Sequence, residues 1–165
     1  MNTPANITIQ TADPLSETAT RLLAEFSADI AQRYADMGEG EPDSFNPAEL
    51  LQPRHAFVLA TRDGHPVGCG ALCPLYTNTA EFRRIYVSPS ARRLGLGRAI
   101  LTELEKLAGV LGYQTIRLET GTRQPEAIAL YERYGFHRIP AFGRYIGDPV
   151  SLCFEKPVKT GIRSL

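Results

Sequence analysis

The spacing of apolar residues along the 165-residue chain predicts three main helices joined by short strands. Apolar side chains recur every three or four positions over Leu15–Tyr34, Ile100–Leu111 and Pro125–Tyr134, which is the spacing of one buried helix face. A further short helix is predicted at Pro47–Leu51. The chain therefore has enough periodic segments to cover a sheet on both sides.

Residues that favour helix ends flank these segments. Asp13 and Pro14 are predicted to be the N-cap and first residue of the first helix. Pro125 stands in the first turn of the third helix. Gly112 and Gly135 are predicted to end the second and third helices, because glycine adopts the left-handed conformation that closes a helix.

The remaining apolar runs read as strands. Asp63-Gly64 separates two of them and is a favoured dipeptide of a tight hairpin turn. The predicted strands are "NITIQTA", "HAFVLATR", "HPVGCGALCPLY", "TAEFRRIYVSP", "QTIRLET", "FHRI" and "PVSLCFEKPV". The order β-α-α-β-β-β-α-β-α-β-β predicts one domain over residues 1–165, built as a mixed sheet with helices on both faces.

Composition narrows the classes of partner. Apolar residues make up 43% and charged residues 22% of the chain, as in ordinary globular domains. Eighteen basic residues balance eighteen acidic ones, so no overall charge favours nucleic acid or a membrane surface. The N-terminus lacks the pattern of a signal peptide, and no run approaches the roughly 18 apolar residues of a membrane span. We therefore expect a cytoplasmic protein.

The cysteines and histidines predict no metal site. Cys69 and Cys73 would lie on one strand about 13 Å apart, which is too far for a disulfide. Neither they nor Cys153 have the spacing of zinc ligands, so we expect reduced thiols. The three histidines are predicted to be structural: His55, His65 and His137.

The segment "SPSARRLGLGRAI", residues 88–100, carries the strongest chemical signal. Gly95 and Gly97 stand between a predicted strand and a helix, where backbone N–H groups can approach one anion. The helix dipole adds positive potential there. Arg92, Arg93 and Arg98 supply charge-assisted hydrogen bonds to phosphate oxygens. This loop is predicted to hold a pyrophosphate, the alternative being an ordinary helix start with solvated arginines.

Three kinds of phosphate loop fit such a segment to different degrees. The dinucleotide motif G-x-G-x-x-G needs a third glycine where Ile100 stands, and Gly-Lys-Ser/Thr is absent from the chain. The pattern R-x-x-G-x-G/A, which binds the pyrophosphate of acetyl-CoA, is matched in full by Arg92–Gly97. Acetyl-CoA is therefore the expected ligand.

Two blocks in this order resemble the GNAT family, the Gcn5-related N-acetyltransferases. They are "AEFRRIYVSPSARRLGLGRAIL" and "IRLETGTRQPEAIALYERYGF", and the likeness covers residues from about 55 to 157. The resemblance implies an α/β fold with a mixed, mostly antiparallel sheet that splays open beside the acetyl-CoA strand. It also implies direct transfer of an acetyl group from acetyl-CoA to a primary amine, without a metal.

The resemblance assigns the acetyl-CoA contacts residue by residue. The pyrophosphate would be held by the loop and helix start: Arg92, Arg93, Leu94, Gly95, Leu96, Gly97, Arg98 and Ala99. Backbone groups of Ile85, Tyr86 and Val87 would bind the pantetheine arm, and the N–H near Val87 would polarise the thioester carbonyl.

The resemblance also implies a proton donor and a proton acceptor. Tyr131, in "ALYERYGF", would protonate the CoA sulfur, the alternative being a packing role in the core. Glu81 would be the base, directly or through water; alternatively its carboxylate pairs with Arg83 or Arg117. Glu119, on the neighbouring strand, is a second candidate acid. Tyr134 is expected to pack in the core.

Strand parity links several of these residues. In a regular strand Glu81, Arg83, Ile85 and Val87 share one face, and a bulge would break that pattern. Arg83 and Arg84 would then point to opposite faces. One of them is expected to face the active-site cleft and to bind a substrate carboxylate.

The acceptor is less constrained by the sequence than the donor. Candidate lining residues are Phe26, Tyr34, Met37, Phe45, Tyr76, Arg138, Arg144 and Tyr145. Aromatic and arginine side chains suit a small amine that bears a carboxylate, such as an amino acid, with Arg83, Glu119 and Tyr34 as candidate contacts. A protein N-terminus or lysine, or a non-catalytic acetyl-CoA-binding domain, are the alternatives. GNAT proteins often form dimers, so a homodimer is a candidate assembly.

Overall fold

The computed structural model describes residues 5–38 and 45–159, which form a seven-stranded sheet and three α-helices. The helices are α1 (Glu17–Arg33), α2 (Leu96–Val110) and α3 (Pro125–Tyr134). The strands are β1 (Ile7–Thr11), β2 (Ala56–Arg62), β3 (His65–Tyr76), β4 (Thr79–Val87), β5 (Thr115–Gly121), β6 (His137–Ile139) and β7 (Ser151–Pro157). The predicted mixed sheet is confirmed.

The sheet order is β1-β2-β3-β4-β5-β7-β6. The β4–β5 pair is parallel and the other five pairs are antiparallel. Successive residues of a strand face opposite sides of a sheet. Phe57 on β2 accordingly packs with Leu22 of α1, whereas Val58 packs in the core that α2 and α3 cover. The sheet is thus covered by helices on both faces.

The first helix begins later than its sequence pattern predicts. Ser16 is the N-cap and its hydroxyl accepts a hydrogen bond from the N–H of Ala19 at 3.2 Å. Asp13 instead accepts from the N–H of Leu15, so the Asp13–Leu15 segment forms a turn before the helix. The prediction of Asp13 and Pro14 as helix start is therefore wrong, because both residue types also favour turns.

The other predicted turns and helix ends are confirmed. Gly135 closes α3 in the left-handed conformation with φ 117°, and Pro125 is the first residue of that helix. Asp63 and Gly64 both have positive φ, as a two-residue hairpin turn of type I′ requires. Pro47–Leu51 is helical, as one 3₁₀ segment.

Strand β4 contains a bulge at Arg84, whose φ is 57°. Cys69 pairs with Tyr86 and Ala71 pairs with Arg83, so two steps along β3 match three steps along β4. An extra residue of this kind reverses the alternation of all later side chains. The bulge lies in the middle of the strand that the acetyl-CoA prediction depends on.

The bulge overturns the predicted strand parity. Ile85 and Val87 pack against the core of α2, and Tyr86 packs on the α1 side of the sheet. Glu81 and Arg83 therefore do not share a face with Ile85 and Val87. Arg83 and Arg84, predicted to diverge, both place their guanidinium groups over the ring of Phe45, at 4.9 and 4.4 Å.

Strands β4 and β5 separate after a short paired stretch. Their register runs from Thr79 opposite Thr115 to Phe82 opposite Leu118. Beyond it β5 continues to Gly121 and β4 to Val87, which leaves an opening between the two strands. This is the splay that the family resemblance implies, and it lies beside the start of α2.

In 5–38 and 45–159, no helix is long and apolar enough to cross a membrane. Within the same ranges, no group of three or more histidine, cysteine, aspartate or glutamate side chains is arranged to hold a metal ion.

Candidate active site

A cavity of about 860 Å³ lies between α1, the end of β4, the start of α2, and α3. Residues from each predicted acetyl-CoA segment line it: Ile85, Tyr86, Val87, Arg92, Arg93, Gly95, Leu96, Gly97, Arg98 and Tyr131. Leu94 and Ala99 are absent from the lining. The glycine loop, the bulged strand and the third helix thus meet at one cavity.

The backbone of the loop is shaped to expose N–H groups. Gly95 is the N-cap of α2 in the left-handed conformation, with φ 83°. The N–H of Ala99 donates to the carbonyl of Gly95 at 3.0 Å, which makes it the first N–H bonded within the helix. The N–H groups of Leu96, Gly97 and Arg98 precede it and have no acceptor inside the helix. These three can bind an anion, whereas that of Ala99 is already used.

The three loop arginines have different environments. Arg92 donates from Nε to the carbonyl of Val87 at 2.9 Å and lies 3.8 Å from the Asp29 carboxylate, so it ties the loop to β4 and α1. Arg93 and Arg98 are exposed residues on the cavity rim. The positive charge available to a phosphate therefore comes mainly from the rim arginines.

Gly97 permits close packing of α2 against α3. A Cβ at this position would lie 2.8 Å from Cδ2 of Leu130. The absence of a side chain lets the first turn of α2 approach α3 and brings the loop close to Tyr131. The second glycine of the motif thus has a packing role here.

Tyr131 packs in the core and also lies at the cavity. It is 6% exposed, and its ring packs against Phe136 and Phe154 with centroids 5.9 and 6.2 Å apart. It also lines the cavity. Burial, and next to it the charge of Glu119, raises the pKa of Tyr131 above its ordinary value. The phenol therefore stays protonated near neutral pH.

Glu81 is 3% exposed and accepts hydrogen bonds from the loop between β6 and β7. The hydroxyl of Tyr145 donates to Oε2 at 2.6 Å, and Nη2 of Arg144 lies 3.0 and 3.2 Å from the two oxygens. Arg117, a predicted alternative partner, pairs with Glu155 at 2.9 Å. Two groups from one distant loop thus bind the Glu81 carboxylate.

Glu119 lies on β5 beside the opening of the sheet. Burial raises the pKa of its carboxyl to about 7. The negative charges of Asp148 and Glu81 act in the same direction, while a hydrogen bond from Ser151 Oγ to Oε2, at 2.5 Å, opposes the shift. A carboxyl with this pKa can both accept and release a proton near neutral pH.

Thr120, next to Glu119, has a buried hydroxyl with no hydrogen-bond partner among the described residues. Buried polar groups normally have a partner. Its strand has separated from β4 at this point, since the last β4–β5 pair is Phe82 with Leu118. A buried hydroxyl without a partner thus lies next to Glu119, which no sequence motif indicated.

Tyr34 joins the end of α1 to the loop after β5. Its hydroxyl accepts from the N–H of Arg123 at 3.1 Å and donates to Gln124 Oε1 at 3.4 Å. A Cβ at Gly121 would overlap this hydroxyl. The predicted substrate residue therefore closes one end of the sheet opening.

Ion pairs reinforce this contact between α1 and the β5–α3 loop. Arg33 pairs with Glu126 and with Asp29, and Arg123 pairs with Asp36. Arg33 and Arg123 also donate to each other's carbonyl oxygen, both at 3.1 Å. Only the Asp29–Arg33 pair of this set is local in sequence, and the other partners are distant along the chain.

The remaining acceptor candidates are dispersed. Phe26 lines the cavity, and Arg144 and Tyr145 bind Glu81. Met37 and Tyr76 are among the exposed apolar residues, and the guanidinium of Arg138 lies over Phe154. The structure therefore brings together only part of the predicted set.

The cysteines are free thiols, as predicted. Burial raises the pKa of Cys73 to about 11 and that of Cys69 to about 12, so both stay protonated. Cys153 is buried. The thiols therefore have no nucleophilic character near neutral pH.

Comparison with known proteins agrees with this geometry. The model of the Acetyltransferase (GNAT) family matches residues 21–136. The chain is 34% identical to the IAA acetyltransferase of Azospirillum brasilense, over 93% of this chain and 99% of that protein. It is 33% identical to the N-alpha-acetyltransferase RimI of Mycobacterium tuberculosis, over 76% of this chain and 80% of that protein.

Solved structures give the same result. A Klebsiella pneumoniae protein assigned as an acyl-CoA N-acyltransferase superposes with a TM-score of 0.75 at 32% identity, covering 93% of this chain and 98% of that chain. Proteins of this fold have been solved with coenzyme A or acetyl-CoA bound. The glycine loop, the splayed sheet and these matches together establish that the chain belongs to the GNAT family and is an acyltransferase enzyme.

Proposed function

We propose that this enzyme transfers the acetyl group of acetyl-CoA to the primary amine of a small molecule. The observation that carries the proposal is the meeting of the N–H groups at the start of α2 and the buried phenol of Tyr131 at one cavity. The carboxyl of Glu119 lies outside the cavity lining, but it is close enough for its charge to raise the pKa of Tyr131. An anion site and a phenol thus share one cavity, and a titratable carboxyl lies near the phenol.

The donor would bind along the cavity. The N–H groups of Leu96, Gly97 and Arg98 would hold the pyrophosphate, with charge from Arg93. Backbone groups of β4 from Ile85 to Val87 have no β5 partner there, and they would bind the pantetheine arm. Leu94 and Ala99 lie outside the cavity lining, so we do not propose that they contact acetyl-CoA.

Glu119 is the group we assign as base. An amine of lysine type is protonated at neutral pH, so it must lose a proton before it attacks the thioester. A carboxyl with a pKa of about 7 is a far better acceptor of that proton than an exposed carboxylate. Glu81, the base that family position implies, already accepts bonds from Arg144 and Tyr145 and remains the alternative.

Tyr131 is the group we assign as acid. The amine nitrogen attacks the carbonyl carbon and an N–C bond forms. The nitrogen then releases its second proton to solvent, and the C–S bond breaks. The sulfur leaves with the electron pair as a thiolate, and a thiol's pKa of about 8.5 makes its protonation useful. The phenol of Tyr131 would supply that proton, and proton exchange with solvent would restore it.

The small-molecule class is supported by the IAA acetyltransferase relative, which covers nearly the whole chain. An acceptor that bears a carboxylate would find Arg83 on the α1 face of the sheet, near Glu81. The RimI relative supports the alternative acceptor, a protein N-terminus. Homodimer formation and a cytoplasmic location also stay predictions.

A panel of amines with detection of released CoA tests the proposal. The panel contains amino acids, amines without a carboxylate and short peptides, each at several concentrations with acetyl-CoA. The expected result is saturable CoA release with one or more free small amines and little with peptides. Release with peptides alone would favour the protein acceptor, and acetyl-CoA binding without any release would favour a non-catalytic domain.

A further inference from the structure

The loop between β6 and β7, residues 140–150, covers the sheet face that carries Glu81. Phe142 is the buried residue of this stretch, Tyr145 and Val150 are half-buried, and the others are exposed. Its backbone hydrogen bonds are largely internal, such as Tyr145 N–H to the carbonyl of Phe142 at 3.1 Å. The loop therefore depends on side-chain contacts for its position on the sheet.

Glu81 supplies the contact to strand β4. Arg144 donates to its carboxylate and also to the hydroxyl of Tyr145 at 2.6 Å, and that hydroxyl donates to Glu81 in turn. The three groups form a closed set of hydrogen bonds between a rigid central strand and a mostly exposed loop. The Glu81 carboxylate is nearly fully buried, whereas the Arg144 side chain is 46% exposed, so the bonds to the carboxylate are partly shielded from water.

We propose that Glu81 is a positioning residue of the acceptor site, which fixes the β6–β7 loop through Arg144 and Tyr145 and sets the electrostatic environment of Glu119. This inference rests on the proposed acetyl transfer. It gives the conspicuous strand glutamate a role other than that of the base. Arg144 and Tyr145 become parts of the acceptor wall.

The titratable and hydrogen-bonding groups around Glu119 support the coupling. They come from every element packed against it: Glu81 on β4, Arg117 on β5, Arg144, Tyr145 and Asp148 on the loop, Ser151 and Cys153 on β7, and Tyr131 on α3. Among them the Glu81 charge raises the pKa of Glu119, and the Arg144 charge lowers it. Loss of the Glu81 charge should therefore lower the pKa of Glu119, and loss of the Arg144 charge should raise it.

The test follows the titration of Glu119 by NMR of protein labelled with ¹³C-glutamate, with Glu119→Gln identifying its resonance. Glu81→Gln is expected to lower the midpoint, and Arg144→Gln is expected to raise it. Opposite signs are the diagnostic result. Shifts of the same sign, or no shift, would overturn the inference, since loosened packing alone has no reason to separate the two variants.

The pH profile of kcat/KM provides the second readout. In Glu81→Gln, kcat/KM should still fall at low pH, but the fall should begin at a lower pH than in the natural protein. The variant should also raise the KM of the amine without changing the KM of acetyl-CoA. If kcat/KM of Glu81→Gln did not fall at low pH at all, the inference would be contradicted, because Glu81 would then be the base.

Glu155→Gln is the matched control. Glu155 lies on the same sheet face and pairs with an arginine at a similar distance, but its partner Arg117 is not on the loop. Its effect on the Glu119 midpoint should be much smaller. The NMR titration needs no acceptor, so a failure of the proposed function would appear separately, as absence of amine-dependent CoA release while the midpoints still shift.

Discussion

Phe82 and Leu118 form the last register pair between β4 and β5, and beyond them the two parallel strands separate. The peptide groups that follow Phe82 on β4 consequently have no partner on β5. Backbone groups in such a gap can bind an extended ligand as a neighbouring strand would. The separation is therefore the structural basis for the proposed position of the pantetheine arm.

The left-handed conformation of Gly95 should matter for the donor. Gly95→Ala is expected to raise the KM of acetyl-CoA several-fold, because φ 83° is unfavourable for alanine and relaxation would reorient the N–H groups of α2. Steady-state kinetics at saturating amine gives this KM.

Gly64→Ala is the control for that variant. Gly64 has φ 80° in the hairpin turn, and a Cβ there meets nothing within 4 Å, as at Gly95. Both variants should lose about 1 kcal/mol of unfolding free energy, but only Gly95→Ala should change the KM of acetyl-CoA. Equal effects of both variants on that KM would argue against the loop as the pyrophosphate site.

Tyr131→Phe should lower kcat about 100-fold, since it removes the proton donor and keeps the ring in its packed position. Turnover under saturating conditions measures this directly. Tyr134→Phe is the comparison: it removes a 2.7 Å hydrogen bond to Glu105, so it should lower stability by about 1 kcal/mol and leave kcat unchanged. An unchanged kcat in Tyr131→Phe would remove Tyr131 from the mechanism.

The carboxyl of Glu119 should determine the low-pH limb of activity. A base must be deprotonated to act, and the pKa of Glu119 is about 7, so kcat/KM should fall as pH decreases below about 7. Glu119→Gln should abolish most of the activity and this limb with it. A limb that persists in Glu119→Gln would identify another group as the base.

The same carboxyl should make the fold less stable at alkaline pH. Its folded pKa of about 7 lies above the ordinary 4.5, so the folded state binds the proton more tightly than the unfolded state. Stability should then fall as pH rises from 4.5 to about 7, by on the order of 3 kcal/mol at most. Chemical denaturation at pH 5 and pH 8 should show a smaller difference in Glu119→Gln than in the natural protein.

Glu105 provides the opposite case. Burial alone would raise the pKa of its carboxyl, but hydrogen bonds from Lys156 and Tyr134 lower it. The contribution of Glu105 to stability is therefore present at neutral pH and lost on acidification through the lowered pKa. Glu105→Gln should destabilise the protein at pH 8, where Glu119→Gln is expected to stabilise it.

Local patterns explain which features the sequence predicted well. The three helices, the Asp63-Gly64 hairpin and the loop at Gly95 depend on neighbouring residues, and the structure contains all of them. The position of Tyr131 beside the cavity also follows from its place on a short helix after β5. Such features need only the period of the chain and the conformational preferences of glycine and proline.

Long-range contacts explain what could not be predicted. The bulge at Arg84 places an arginine at positive φ, which no local preference favours. Glu81 meets Tyr145 across 64 positions of sequence, and Tyr34 meets Arg123 across 89. Only the packing of the whole sheet determines these pairs, so neither the strand parity nor the partners of Glu81 could be obtained from spacing.

The most direct measurement of the central claim is CoA release as a function of both acetyl-CoA and amine, in the natural protein, Glu119→Gln and Tyr131→Phe. The expected result is saturation by both substrates, with turnover greatly reduced in each variant while acetyl-CoA still raises the melting temperature of all three. Full turnover in both variants would contradict the assignment of the base and the acid. Acetyl-CoA that neither supports turnover nor stabilises the natural protein would contradict the proposed function itself.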